Sequence, residues 1–174
     1  MSNLLTKKPG VDEHAPYYAK YVDAVPSGNV VETLRGQIEG TLKALRCVSE
    51  DGSLRRYAEG KWSLREVVGH VTDAERIFAY RALRFARADA APLAGFEQDD
   101  YVVTGRFDAR DWRKLLEELE AVRRSTVLLF EGMDEQAWDR RGVASGNPVS
   151  VRALAWIIAG HEAHHMRIVQ HNYL

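Results

Sequence analysis

The chain has 174 residues, enough for one domain with a sizeable core, and its 45% hydrophobic and 28% charged residues are ordinary for a globular protein. Its 24 basic and 25 acidic side chains leave a formal net charge of -1, which argues against binding nucleic acid through surplus positive charge. A single cysteine, Cys47, excludes an internal disulfide framework and a multi-cysteine zinc site. The start, Met1 to Pro9, lacks the apolar stretch of a signal peptide, and no apolar run approaches the ~18 residues of a membrane span. The expectation is a cytoplasmic protein with neither membrane nor nucleic-acid partners.

Residues 1–29 contain Pro9, Gly10, Pro16, Pro26 and Gly28 and read as an extended N-terminal arm. Tyr17, Tyr18 and Tyr21 can pin it to the body, since amphipathic rings cover apolar surface well. Residues 30–174 read as one helical domain. A first helix is expected from Val30 to Ser49, with Val31, Leu34, Ile38, Leu42 and Leu45 in one apolar stripe, ending before Asp51-Gly52. A second starts at Ser63, where Glu66 completes a capping box, and runs to about Asp89. Residues 90–107, with Pro92, Gly95 and Gly105, form a long crossover. The third helix is expected to open with Asp108 as N-cap and Asp111 in its first turn, and to run to Gly132. A loop with Gly142, Gly146 and Pro148 leads to a last helix from Ser150 to about His171. With no convincing strand pattern, the fold class is all-α: a four-helix bundle with a long crossover between helices 2 and 3.

Six histidines are present, and their arrangement needs a reason. His161 and His165 lie four apart, one helical turn, on the face shared by Leu154, Ile158 and Ile168. His70 lies mid-helix on an inward face with Val67, Ala74 and Ile77, beside Gly69, a poor helix former that suggests a close helix approach. Spacing alone leaves two readings open, satisfied core histidines or ligands of a metal. Three neutral imidazoles would leave a tetrahedral ion one open position, as in catalytic sites. His161-Glu162-Ala163-His164-His165 also matches the H-E-x-x-H pattern of zinc proteases. The longer protease pattern needs glycine where Ile168 stands, and His171 would lie about 15 Å along the helix from His161. A protease is therefore not expected.

The stretch from Lys61 to Arg76, with Trp62, Ser63, Glu66, His70, Asp73 and Glu75, resembles the second-helix signature of the DinB/YfiT-like superfamily. So do Ala159 to His165 near the C-terminus, Phe96 to Tyr101 in the crossover, and Val149 to Leu154. The resemblance covers residues 30 to the end. It implies a four-helix bundle with one divalent cation, zinc or nickel, held by His70, His161 and His165. It further implies a metal-dependent enzyme acting on a small-molecule substrate, described in many relatives as a hydrolase. The alternatives are an S-transferase that uses a low-molecular-weight thiol, and a non-catalytic, stress-related metal-binding protein. A homodimer is also implied. Resemblance of this kind identifies a site better than a reaction.

The neighbouring residues carry weaker expectations. Asp73, three residues after His70, is the candidate for a carboxylate that orients a ligand or polarises a water. Glu75, turned about 140° from His70, suits an inter-helix ion pair, and Glu162 suits an arginine partner. His164 is expected at the edge of the site. Arg76, Arg81 and Arg84 read as a solvated face, Phe96, Asp99, Asp100 and Tyr101 as a lid, and the four tryptophans as packing.

Overall fold

The computed structural model describes residues 5–174; the first four residues of the expected arm lie outside the described residues. The fold is a four-helix bundle built from α2 (Val30–Leu45), α3 (Leu64–Ala86), α5 (Trp112–Glu131) and α7 (Val151–Asn172). Shorter elements decorate it: α1 (Ala19–Ala24), α4 (Gln98–Gly105), α6 (Glu135–Asp139), and the strands β1 (Arg141–Ala144) and β2 (Asn147–Ser150).

The long helices start where side chains can satisfy free backbone N–H groups. Asn29 Oδ1 accepts from Val31 N at 2.9 Å, and Ser63 Oγ accepts from Glu66 N at 3.1 Å. Glu66 Oε2 accepts from Ser63 N at 2.8 Å, which closes the expected capping box. Ser150 Oγ accepts from Ala153 N at 2.9 Å and opens α7. The third long helix starts three residues later than expected. Its cap is Asp111, whose Oδ1 accepts from Lys114 N at 2.9 Å. Asp108 sits in a 3-10 turn, its carboxylate already engaged by Arg56 at 2.7 Å and by the Ser63 hydroxyl. The first long helix stops at Leu45 rather than Ser49, with Arg46 as its C-cap.

The principal packing contacts run α2 to α5, α5 to α3, α3 to α7 and α7 to α2. The helices therefore close a square in that order. Chain neighbours α2 and α3 lie across one diagonal, and α5 and α7 across the other. Two apolar clusters fill the interior. One is built around Leu34, Phe85, Phe130, Trp138, Trp156 and Ile157. The other gathers Leu45, Leu64, Trp112, Leu115, Leu119 and Val169.

Between these clusters lies a buried ionic network. Arg123 donates to both Glu75 oxygens at 2.9 and 2.8 Å and to Leu34 O at 3.0 Å, and forms an ion pair with Glu162 at 2.6 Å. Thr41 Oγ1 donates to Glu162 Oε1 at 2.6 Å. Each of the four long helices contributes at least one group, so the network fixes their relative register. Glu75 and Glu162 thus pair with an arginine, as their positions in the sequence suggested.

Three connections differ from expectation. The N-terminal arm is not extended: Val11–Glu13 and Pro16–Tyr18 are 3-10 turns, and α1 packs on α7. Buried Glu13 anchors it, accepting from Ser150 Oγ at 2.7 Å and from Arg152. The crossover contains α4, and the loop before α7 folds into an antiparallel hairpin pairing Arg141 with Ser150 and Ala144 with Asn147. Its two-residue turn places Ser145 and Gly146 at positive φ (53° and 74°), which suits the right-handed twist of a hairpin. Arg81, expected on a solvated face, is buried. It donates to Ala94 O and Ser145 Oγ, each at 3.0 Å, and so ties the crossover to the hairpin.

Candidate metal centre

Two helices bring three histidines to one point. His70 projects from the middle of α3, and His161 and His165 from consecutive turns of α7. His161 Nε2 lies 3.1 Å from His70 Nε2 and 3.2 Å from His165 Nε2. One ligand-capable nitrogen from each ring falls within 4.8 Å of the others. An ion with tetrahedral Zn–N bonds of about 2.05 Å sets its nitrogens ~3.3 Å apart, which the two separations from His161 match.

The surroundings keep these rings neutral. Burial lowers the His70 pKa to about 4 and that of His165 to about 3. The His161 pKa lies well below the usual histidine range, first through burial and then through its histidine neighbours. A neutral imidazole offers a lone pair, and three lone pairs converging in a poorly solvated place favour a cation.

Aromatic rings enclose the cluster. Trp62 lies 4.9 Å from His70 between ring centroids, Tyr21 lies 5.3 Å from His161, and Phe78 lies 6.0 Å from His161. Access remains from two sides. A cavity of about 260 Å³ reaches His70 and His161 beneath the arm and the crossover. A second, of about 230 Å³, reaches His165 past Trp62, Tyr57 and Tyr173.

The remaining expected residues fall at different distances from this centre. His164 packs edge-on against Tyr21 at 5.4 Å and His165 at 5.3 Å, at the edge of the site as expected. Asp73 is half-buried, which raises its pKa against the opposing pull of Arg76, and it accepts from Arg76 Nη1 at 3.2 Å. Phe96 and Asp99 of the crossover line the larger cavity, and Tyr101 packs on Phe96 at 5.2 Å. The small residue at 69 does not mark a helix contact. A β-carbon there would fall 2.3 Å from the Phe107 ring, so it makes room for an aromatic side chain of the crossover.

Trp62 and Tyr21 were not anticipated beside the histidines. Trp62 read as packing, and the position of Tyr21 depends on an arm with no helical periodicity to orient it. Phe78 carried a usable signal, because it lies eight residues after His70 and so shares its helix face.

The arrangement defines a helical bundle with a clustered histidine site at the α3–α7 seam. A model of the DinB superfamily matches residues 33–169, and the chain belongs to that superfamily. It is 25% identical over 138 residues to a protein of Oceanobacillus iheyensis, spanning 78% of this chain and 77% of that one. That relative is named for a metal-dependent hydrolase activity that its name leaves unproven. YfiT from Bacillus subtilis, described as an inferred metal-dependent hydrolase of unusual four-helix bundle topology, superposes with a TM-score of 0.72. That match has 15% identity and covers 98% of this chain and 95% of YfiT. The mycothiol-dependent maleylpyruvate isomerase superposes with a TM-score of 0.66 at 14% identity, over 83% of this chain and 61% of that enzyme. At these identities the two structures establish a shared fold. Among the described residues, no helix is long and apolar enough to cross a membrane.

Proposed function

We propose that the protein is a metal-dependent enzyme acting on a small molecule, with one divalent cation, zinc or nickel, held by His70, His161 and His165. The observation that carries this reading is the convergence of three neutral imidazole nitrogens, two on buried rings and one on a half-buried ring, reached by cavities from two sides. A divalent ion bound there supplies Lewis-acid polarisation of a coordinated oxygen or sulfur atom. The rest falls to the chain. The α3 and α7 backbones fix the three rings, and the Arg123 network beneath them holds those helices in register. Trp62, Tyr21 and Phe78 shield the centre from bulk water. Asp73 is assigned a supporting role from outside the ligand set. Asp73→Asn then weakens metal affinity by about tenfold without changing stoichiometry.

Hydrolysis is the leading reaction, in keeping with the name of the Oceanobacillus relative. Transfer involving a low-molecular-weight thiol is the second reading. It is favoured by the separate cavity beside His165, which leaves room for a second reactant. Metal analysis of untagged protein tests the centre itself. About one ion per chain, lost in His70→Ala and His161→Ala variants that keep their helical circular dichroism, supports it; unchanged metal content overturns it. Turnover of an ester and amide panel supports hydrolysis. A charge-transfer band on adding thiol to the cobalt-loaded protein, without such turnover, supports transfer. Absence of both leaves a binding protein and overturns the enzyme reading.

A further inference from the structure

The cavity beneath the arm has a lining that bears on its ligand. Five aromatic side chains form it: Tyr17, Tyr18 and Tyr21 from the arm, Phe78 from α3 and Phe96 from the crossover. Several meet edge to face, with Tyr17 and Tyr18 at 5.4 Å and Tyr18 and Phe78 at 5.9 Å between centroids. Two exposed carboxylates, Glu97 and Asp99, also line it, whereas no lysine or arginine does among the described residues. Both acids lie at the start of α4.

Aromatic faces carry negative potential and attract cations within about 6 Å. This chain already uses the same rings in that way from outside the cavity. Lys20 Nζ lies 4.3 Å from the Tyr17 centroid and 4.9 Å from that of Tyr21. The Arg81 guanidinium lies 5.9 Å from Phe78 and 6.0 Å from Phe96. Neither Lys20 nor Arg81 lines the cavity, whereas Glu97 and Asp99 do. A neutral apolar ligand would desolvate the carboxylates with no return, and an anion would be repelled by them. At about 260 Å³ the space falls below the range of about 300–1,000 Å³ typical of drug-sized ligands, so the ligand is small.

We propose that this cavity recognises a small organic cation. The substrate's ammonium group lies among Tyr17, Tyr18, Phe78 and Phe96 beside Glu97 and Asp99, and its reactive end reaches His70 and His161. The second half of this statement rests on the metal-centre reading; the first half stands without it.

The test uses three molecules of nearly one shape and different charge. They are choline, the neutral 3,3-dimethyl-1-butanol and the anionic 3,3-dimethylbutyrate, titrated into zinc-loaded protein by calorimetry, with metal content measured on the same samples. Choline is expected to bind at least about tenfold tighter than the alcohol. The Glu97→Gln, Asp99→Asn double variant, altered only at exposed positions, is expected to lose most of that preference while binding the alcohol and zinc as before. Equal binding of the alcohol, tighter binding of the acid, or no choline binding at millimolar concentration overturns the proposal. If zinc fails to bind while choline still binds with its charge preference, the metal reading falls and the cation pocket stands.

Discussion

A β-carbon on Gly160 would sit 1.9 Å from the carbonyl oxygen of Tyr21, so α1 lies directly on α7 one residue before His161. Replacing glycine by alanine inside a helix ordinarily stabilises it by about 1 kcal/mol. Gly36 and Gly40 on α2 have nothing within 4 Å of such a carbon, and alanine at either is expected to stabilise by about 0.5–1 kcal/mol. Gly160→Ala must instead push a backbone carbonyl aside, and is expected to destabilise by about 1–3 kcal/mol. Urea denaturation of the three single variants measures this. The same sign at all three positions would contradict the seating of the arm.

The Arg123 network predicts an asymmetric mutational response. Arg123→Ala leaves Glu75 and Glu162 buried without their cation, and is expected to cost about 3–5 kcal/mol. Replacing all three at once, by Arg123→Met with Glu75→Gln and Glu162→Gln, removes the uncompensated charge. It should recover at least about half of the loss. Chemical denaturation midpoints with matched slopes decide between the outcomes; no recovery would mean that packing, not charge, dominates at this position.

The depressed histidine pKa values set the acid limit of the metal-free protein. His70 and His165 titrate near 4 and 3 in the folded chain, against about 6.5 for a free histidine. Below about pH 6.5 the unfolded chain binds protons that the folded one refuses, so stability falls as pH falls toward 4. By pH 5 each such histidine removes about 2 kcal/mol relative to neutral pH. A thermal melt series from pH 7.5 to 4.5 should show this descent. It should be shallower in the His70→Asn, His165→Asn double variant, and equal slopes would refute the assignment.

Trp62 provides an optical reporter, since its ring lies 4.9 Å from that of His70. Nickel added to metal-free protein is expected to quench tryptophan emission up to one equivalent and then stop. Trp62→Phe should retain the nickel stoichiometry and lose the largest part of the quench. Quenching that survives intact in that variant would place the ion elsewhere.

The four long helices were legible because each carries a strong apolar stripe and a capping side chain, as Ser63 with Glu66 illustrates. The inward register of His161 and His165 follows from four-residue spacing, and the inter-helix ion pairing of Glu75 from its angle off the histidine face, whereas the identity of Arg123 as the shared partner of Glu75 and Glu162 has no signal in the spacing. What spacing could not give was which helix meets which. His70 entered through family resemblance, and its 3.1 Å approach to His161 is a tertiary fact. The strands around Ser145 and Gly146 are four residues each, too short for alternation to register. The arm, read as extended from its prolines and glycines, is held by the fit of Tyr21 on α7, one of the tyrosines expected to pin it, and by Glu13, which has no local signature. Nothing local marks Arg81 as buried, because the crossover and hairpin that cover it carry no periodicity.

The square order of the helices also bears on how the chain reaches this state. Because α2 lies diagonal to α3, and α5 to α7, neither pair can zip up as a helical hairpin from local contacts. The one adjacent pair in chain order, α3 and α5, is separated by the crossover, and His70 waits 91 positions for His161. Loop closure must therefore precede most of the core, and such topologies fold more slowly than up-and-down bundles of equal size. The histidine cluster joins α3 to α7 across 91 positions, so it can assemble only once that long loop has closed.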